Sequence, residues 1–195
     1  LDIALFNNNL DLTFDVYNEI FTGFLFDVPI PAFTGFSSFL QNRGEVENLG
    51  FEVAATLRQD IGNVKVTANV NFSQNRNKVL ELGPGGNDII LTGGASGADY
   101  ITKIGEPLGS YFLYVSDGVF ANQDEIDAVP HFAGSRPGDV RYVDMDSDGD
   151  IDADDRTIVG SYFPDYTIGG NLNVKYKFID LGIAVSSVQG NEILN

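Results

Sequence analysis

Strict alternation of apolar and polar residues is the feature that most constrains the fold of this chain. In the segment LDLTFDVYN, which begins at Leu10, every second residue from Leu10 to Val16 is apolar. The same pattern recurs in FEVAATLR from Phe51, VKVTANVNFS from Val64 and IGGNLNVKYK from Ile168, and weaker versions occur in LDIALF and LGIAVSSVQ. A period of two places the apolar set on one face of a β-strand. The sequence therefore predicts an all-β fold with about six strands.

Short and long connections alternate between these segments. The short ones are NNN, DIGN and KFID, which contain the Asn, Gly and Asp residues of tight hairpins. The long ones run from roughly Phe21 to Glu45 and from about Leu82 to Asp165. Outer-membrane barrels have short periplasmic turns and long extracellular loops, whereas structureless loops of this length are uncommon in compact soluble domains. The connections therefore favour an antiparallel transmembrane β-barrel segment with long extracellular loops.

A soluble β-sandwich also contains alternating strands, so periodicity alone does not separate the two folds. Two features favour the barrel. The residues opposite the apolar set are Asn, Thr, Lys and Asp, and the strands approach the ten or so residues that a tilted membrane crossing needs. In the barrel interpretation the side chains predicted to face lipid are Leu12, Phe14, Val53, Val66, Val70 and Val174. The aromatic residues predicted to lie at the membrane interfaces are Tyr17, Phe21, Tyr166, Tyr176 and Phe178.

Composition excludes several classes of function. The chain has 11 Lys and Arg against 28 Asp and Glu, a formal net charge of -17, so no nucleic-acid partner is expected. The absence of Cys removes disulfides, thiolate metal sites and thiol nucleophiles. No serine lies in a nucleophile elbow, and the acidic residues cluster at metal-loop spacing instead of flanking an apolar pocket. We therefore expect no enzymatic activity.

The segment DMDSDGDIDADD, Asp144 to Asp155, gathers seven aspartates into twelve residues, and like charges so close repel each other unless a cation lies among them. With Asp144 as position 1, carboxylates occupy positions 3, 5, 9 and 12, Gly149 occupies position 6, and position 7 offers a backbone carbonyl. This is the EF-hand calcium loop with Asp in place of the final Glu. The candidate ligands are Asp144, Asp146, Asp148, Asp150, Asp152 and Asp155.

The residues before this acidic loop, GDVRYV, have an extended pattern, so a paired EF-hand sensor is not expected. We predict instead that a structural Ca²⁺ holds the acidic loop, residues 144–155, within the long connection 82–165. An unliganded solvated loop and a Mg²⁺ site are the alternatives.

Four segments resemble, in order, the C-terminal barrel region of the SusC/RagA-type TonB-linked outer-membrane transporters of Bacteroidota. They are NRGEVENLGFEV from Asn42, NFSQNRNKVLEL from Asn71, IGEPLGSYFLYVSDGVF from Ile104, and the stretch from Pro137 to Leu181 that begins PGDVRYVDMDSDGD. The resemblance covers essentially the whole chain. It implies a 22-stranded barrel in the outer membrane of a Gram-negative bacterium, within the size range of such barrels. It also implies an N-terminal plug that contacts TonB, and a SusD-like lipoprotein that lids the extracellular mouth and captures oligosaccharides or peptides.

The chain contains no plug and stops before the family's final strand, so residues 1–195 are expected to be a fragment that does not transport in isolation. The competing hypothesis is a secreted or surface-displayed β-sandwich that is stabilised by calcium and binds a ligand without transporting it. Aromatic residues in the long connections are candidates for contact with the ligand or the lid protein: Phe33, Phe36, Tyr111, Phe112 and Tyr114. The alternative for these rings is packing of the connections against one another.

Overall fold

The computed structural model describes residues 1–30, 32–36, 38–42, 44–83, 86, 88–93 and 98–194. The strands are β1 (Asp2–Leu5), β2 (Leu10–Thr22), β3 (Leu25–Pro29), β4 (Ser38–Asn42), β5 (Glu45–Ile61), β6 (Val64–Glu81), β7 (Ile89–Leu91), β8 (Tyr100–Thr102), β9 (Ser110–Tyr114), β10 (Ser116–Val119), β11 (Val140–Tyr142), β12 (Arg156–Gly160), β13 (Tyr166–Tyr176) and β14 (Ile179–Gln189). One short helix, α1, spans Gln123–Asp127, and 3-10 turns span Ala32–Thr34 and Ala153–Asp155. Among the described residues, no helix is both long enough and apolar enough to cross a lipid bilayer.

The main sheet has six strands in the order β1-β2-β5-β6-β13-β14, and every neighbouring pair is antiparallel. These strands include all six segments that alternation predicts, and the all-β prediction is confirmed. Three tight turns join β1 to β2, β5 to β6 and β13 to β14 at the predicted positions. Left-handed backbone occurs in each of them, with positive φ at Asn7, Asn8, Gly62 and Lys177. Asn and Gly tolerate this conformation best, which explains their presence in these turns.

The register gives the main sheet one apolar face and one polar face. Phe14 pairs with Val53, Val53 pairs with Phe72, and Val66 pairs with Val174, so the apolar residues of successive strands continue across the sheet. The six side chains predicted to face lipid all belong to this apolar face. Asn69 pairs with Thr56 and with Asn171 on the polar face. No second sheet pairs with the main sheet in the described part of the chain, so the described residues do not form the alternative β-sandwich.

A row of aromatic rings crosses the apolar face at one level. Ring centroids are 6.5 Å apart for Phe14 and Phe51, 5.6 Å for Phe51 and Phe72, and 5.5 Å for Phe72 and Tyr166. The row joins β2, β5, β6 and β13 just where the polar residues of β6 begin. Such a belt is typical of a membrane interface, and it contains the predicted Tyr166.

Tyr17 and Phe21, which are predicted to lie at membrane interfaces, do not join this aromatic row. Both lie in the polar phase of β2, on the same face as Asp15 and Glu19. Tyr17 pairs with Gly50, and its ring covers that glycine so closely that a Cβ there would lie 2.5 Å from the phenol oxygen. The ring therefore fills the space left by a residue without a side chain.

Two strands are longer than the predicted ten or so residues. β5 has 17 residues and β6 has 18, and their outer parts, beyond the aromatic row, carry polar residues in both phases. Val46 and Val79 on these outer parts are buried with Leu82 against Phe24, Ile89 and Leu108 of the long connections. The outer parts of β5 and β6 therefore pack against the long connections and support them.

The long connections contain strands of their own, which the sequence did not predict. Residues between β2 and β5 form the hairpin β3-β4. Residues between β6 and β13 form a four-stranded sheet, β12-β9-β8-β7, and a separate pair, β10-β11. All eight of these strands have only three to five residues, too few for a period of two to be recognised in the sequence.

Candidate functional site

Amides and hydroxyls on the polar face of the main sheet are linked across strands. Asn69 donates to Asn171 at 2.6 Å and accepts a hydrogen bond from Thr56 at 2.7 Å. Farther from the turns, Asn75 and Asn77 both donate to Asn48, at 3.2 and 2.9 Å. Charged pairs, Arg58 with Asp11 and Lys175 with Asp180, lie nearer the turns. The polar face is thus a hydrogen-bonded lattice suited to contact with water.

A cavity of about 800 Å³ lies where β6 extends beyond the start of β13. Its walls come from Gln74 to Lys78 on β6, from residues 105–107, and from residues 160, 161 and 163–166 with Gly190 and Glu192. The Oδ1 atom of Asn75 is buried without a hydrogen-bond partner among the described residues. The sequence did not predict this cavity, because residues far apart in the chain form its walls.

The acidic loop folds around its first three alternating carboxylates. Asp144 accepts backbone N–H bonds from Ser147 at 2.6 Å and Gly149 at 3.0 Å. Asp146 accepts from Asp148 at 3.2 Å, and Asp148 accepts from Asp150 at 2.9 Å. Positive φ at Ser147 and Gly149, 62° and 96°, turns the chain so that these bonds form. Carboxylate oxygens of Asp144, Asp146 and Asp148 lie within 4.8 Å of one another.

The last carboxylates of the loop have different contacts. Asp155 is only 1% exposed and accepts N–H bonds from Met145 at 2.6 Å and Asp152 at 2.8 Å. Asp152 caps the following 3-10 turn by accepting from Asp154 at 2.8 Å. The two form a reciprocal capping box. The structure therefore brings together the residues at positions 1, 3 and 5, while those at positions 9 and 12 close the loop.

The pKa values of two carboxyls reflect this arrangement. The N–H of Asp152 is the main cause of the lowered pKa of Asp155, and Met145 and Asp146 add to it. For Asp146 the N–H of Asp148 acts to lower the pKa, but desolvation and the charges of Asp148, Asp155 and Asp144 outweigh it and raise the pKa. Asp146 thus lies in an excess of negative charge that a bound cation would offset.

The donor set fits a hard cation such as Ca²⁺. Three carboxylates converge on one point, and Ile151, only 7% exposed, anchors the middle of the loop inward. Oxygen donors with this spacing are those that Ca²⁺ prefers. Asp155 already accepts backbone bonds, so as a ligand it would share its oxygens between these N–H groups and the ion.

An ion pair fixes the end of the acidic loop to the neighbouring sheet. Nη1 of Arg156 lies 2.5 Å from Oδ2 of Asp99, and both side chains are less than one-fifth exposed. The guanidinium also lies 5.1 Å from the centre of the Phe112 ring. Asp99 accepts a further bond from the N–H of Gly93 at 2.9 Å. This N–H is the main cause of the lowered pKa of Asp99, and Arg156 adds to it.

The five aromatic residues proposed for ligand or partner contact lie in two kinds of environment. Phe33 and Phe36 are 89% and 71% exposed. Tyr111 is 7% exposed and packs on Tyr100, and Phe112 packs against Arg156. Tyr114 contacts Phe132 and Tyr142, at centroid distances of 5.5 and 5.4 Å. Phe33 and Phe36 thus present free rings, whereas the other three contribute to packing.

Comparison with known proteins gives sequence relatives over the whole chain. No family model matches the chain. It is 36% identical over 202 residues to TonB-dependent receptor P3 of Formosa agariphila and 32% identical over 212 residues to TonB-dependent receptor P26 of the same organism. Both alignments cover 100% of the chain but only 20% of the relative. These relatives are receptors and not enzymes, and the chain spans about one-fifth of their length.

Solved structures give the same assignment. The RagAB peptide importer in its closed-closed state matches 97% of the chain and 20% of the matched chain, with a TM-score of 0.71 at 25% identity. The open-open state matches 96% and 19%, with a TM-score of 0.72 at 24% identity. The fold of this segment is thus equally similar to both states. The main sheet of this chain has one apolar and one polar face, as an antiparallel barrel segment requires. The chain is therefore a barrel segment homologous to part of the TonB-dependent receptors of the SusC/RagA type.

Proposed function

We propose that the chain forms part of the wall of a TonB-dependent importer in the outer membrane of a Gram-negative bacterium. The apolar face of the main sheet contacts lipid, and the polar face lines an aqueous passage. The observation that carries this proposal is the register, which keeps the two faces separate across six strands. Further strands would pair with the edges at β1 and β14, because a sheet spans a membrane only when its backbone groups are satisfied.

The proposed substrates are oligosaccharides or peptides, delivered with a SusD-like lipoprotein at the extracellular mouth. The structural similarity to RagAB, which is described as a peptide importer, supports peptides. Energy coupling would come from a plug that contacts TonB and lies outside this chain. The exposed rings of Phe33 and Phe36, on the connection between β3 and β4, are the residues that we propose for contact with the lipoprotein or the substrate.

Uptake by whole cells tests the proposal. A strain that lacks the full-length receptor is complemented with the wild-type gene, and entry of labelled peptides and oligosaccharides is followed with and without functional TonB. We expect the receptor in the outer-membrane fraction and TonB-dependent uptake of one substrate class. A receptor in the soluble fraction, or uptake unchanged by loss of TonB, would contradict the proposal.

The isolated segment provides a second test. Because β1 and β14 are open edges, residues 1–195 in liposomes should give no sugar-dependent swelling, while the full-length receptor, once its plug is removed, should give it. Swelling with the isolated segment would show that it closes by itself and would overturn this part of the proposal.

We further propose that Ca²⁺ binds the acidic loop as a structural ion, with Asp144, Asp146 and Asp148 as its first ligands. The carbonyl of Asp150 and the carboxylates of Asp152 and Asp155 complete the proposed set. The convergence of three carboxylates and the raised pKa of Asp146 support the site. Its function would be to hold the connection between β6 and β13 in one arrangement.

Calorimetric titration after chelation tests this site in the full-length receptor. We expect binding heat for Ca²⁺ and slower proteolysis of residues 144–155 when Ca²⁺ is present. Asp146→Asn should abolish both effects. Asp154→Asn is the matched control, because Asp154 is exposed and is not a proposed ligand, and it should leave both unchanged. Absence of heat in the wild type would leave an unliganded acidic loop as the explanation.

A further inference from the structure

Two cations lie on the apolar face of the main sheet, just beyond the aromatic row. β6 alternates Val64, Val66, Ala68, Val70 and Phe72 on this face and then continues with Gln74, Arg76 and Lys78. Among the described strands of the main sheet, Arg76 and Lys78 are the only Lys or Arg residues on the apolar face. They therefore mark the border at which the lipid-facing band ends.

These two cations differ from those on the polar face. Arg58 and Lys175 on the polar face pair with Asp11 and Asp180. No carboxylate of the described residues lies within 4.0 Å of Arg76 or Lys78, although the chain carries a net charge of -17. Such unpaired positive charge in an acidic chain points to an anion from outside the described segment.

The surroundings of the two cations are unequal. Arg76 faces Leu49 across the strand pair, so no carboxylate on β5 directly opposes it. On its other side Arg76 lines the cavity of about 800 Å³, and none of the acidic residues there forms an ion pair with it: Glu106, Asp165 and Glu192. Lys78 faces Glu47, which partly offsets its charge. Arg76 is therefore the stronger candidate for binding an anion.

An apolar groove of about 410 Å³ begins directly below Arg76. Phe14, Val16, Leu49 and Phe51 line it, and Gln74 and Arg76 close its polar end. The side chain of Val16 is 64% exposed, so it is available for contact with a molecule in the groove. A groove that is apolar at one end and cationic at the other matches a lipid, whose acyl chain would lie against Phe14 and Leu49 while its headgroup meets Arg76.

We propose that Arg76, assisted by Gln74 and Lys78, binds a phosphate group of an outer-leaflet lipid headgroup, with an acyl chain in the groove below. This inference rests on the proposed function for one point only, that the apolar face contacts the outer membrane. The long connections place this end of β6 on the extracellular side, where the phosphates of lipopolysaccharide lie. A planar guanidinium can form two parallel hydrogen bonds to phosphate oxygens, which suits Arg76 to a phosphate headgroup.

Lipid binding to the purified full-length receptor tests the inference. The receptor is prepared in detergent, and binding of lipid A is compared with that of lipid A from which the phosphates have been removed, by native mass spectrometry and by the rise in unfolding temperature. We expect the phosphorylated lipid to bind more tightly. Arg76→Gln should weaken its binding about fivefold, since one surface cation contributes about that factor to an anionic headgroup. Lys78→Gln should have a smaller effect because Glu47 lies opposite.

Lys65→Gln is the matched control, because Lys65 lies on β6 but on the polar face, and it should leave lipid binding unchanged. Equal binding of the two lipids, or binding unchanged by Arg76→Gln, would overturn the inference. An ion pair between Arg76 and a carboxylate of another strand in the complete barrel would also overturn it, because Arg76 would then have no preference for phosphate. None of these readouts requires transport, so failed uptake with preserved phosphate preference would contradict the importer and leave the lipid site standing.

Discussion

The main sheet and the connection between β6 and β13 satisfy their backbone groups in different ways. In the main sheet, the backbone groups of neighbouring strands form hydrogen bonds with one another along regular ladders. The ladder of β13 and β14, for example, has eleven residue pairs. In the acidic loop, aspartate side chains accept the backbone N–H groups of Ser147, Gly149, Asp150 and Asp154 instead. Both arrangements meet the requirement that backbone donors find partners.

This difference determines what a substitution does. In the main sheet, the face on which a side chain lies should matter more than its particular contacts, because in the proposed barrel one face meets lipid and the other meets water. In the connection, individual side chains close individual loops, so the loss of one should act locally.

The largest effect is expected from a charge at the middle of the apolar face. Leu172 lies on this face and pairs with Ala68 and Ile183. Leu172→Lys in the full-length receptor should reduce folding stability by about 2–4 kcal/mol, because a lysine at the membrane midplane is costly. Asn173→Lys, one residue along β13 and on the polar face, is the control and should fold normally. Refolding into liposomes under urea measures both, and equal behaviour of the two variants would contradict the assignment of faces.

The second effect is expected at Gly50, where the two long strands and Tyr17 come together. A Cβ at Gly50 would lie 2.4 Å from the backbone oxygen of Gln74, so Gly50→Val should destabilise the barrel by about 3 kcal/mol. Gly182→Ala is the control, because the nearest atom to its Cβ would be Nδ2 of Asn173 at 3.8 Å. Electrophoretic mobility before and after heating measures the folded fraction. A fully folded Gly50→Val receptor would show that β5 and β6, and the ring of Tyr17, can move apart at this point.

The third effect should be confined to the connection. Arg156→Gln removes the ion pair with Asp99 and the contact with Phe112, and should lower the free energy of local opening by about 1.5 kcal/mol. Hydrogen exchange should rise in β8, β9 and β12 and stay unchanged in β5 and β6. Arg141→Gln removes a more exposed pair with Asp117 and should have little effect. A rise in exchange that extends into β6 would show that the two regions are coupled.

The sequence predicts the main sheet well because its rule is local. A period of two, together with Asn, Gly and Asp at the turns, locates β2, β5, β6 and β13 and also the two weaker strands. The prediction fails where the alternation of apolar and polar residues ends. Beyond Phe72 both phases of β6 are polar, so the extension to Glu81 could not be recognised. The polar phase of β2 already includes Tyr17 in the sequence, which agrees with its position on the polar face.

The acidic loop was predictable only in part. The spacing predicts that Asp144, Asp146 and Asp148 come together, and the structure places their carboxylate oxygens within 4.8 Å of one another. The capping bonds of Asp152 and Asp155 depend on where the backbone N–H groups of Met145 and Asp154 point, which the sequence does not show. The ion pair of Arg156 with Asp99 joins residues 57 positions apart and required the fold.

The smallest expected effect is a loosening of the connection at low pH. The pKa of Asp99 is lowered, first by the N–H of Gly93 and then by Arg156, so this carboxylate stabilises the fold when it is charged. Its contribution is fully present above the ordinary carboxyl pKa of 3.8 and is lost as the pH falls through the lower value of the folded state. Hydrogen exchange at Gly93 and in β12, corrected for intrinsic rates, should therefore rise at acid pH while exchange in β13 does not. Asp99→Asn should show the higher exchange in β12 at both pH values, because its side chain has no charge to lose. If wild-type exchange in β12 is the same at pH 3 and pH 6, the ion pair with Arg156 does not hold the connection to its sheet.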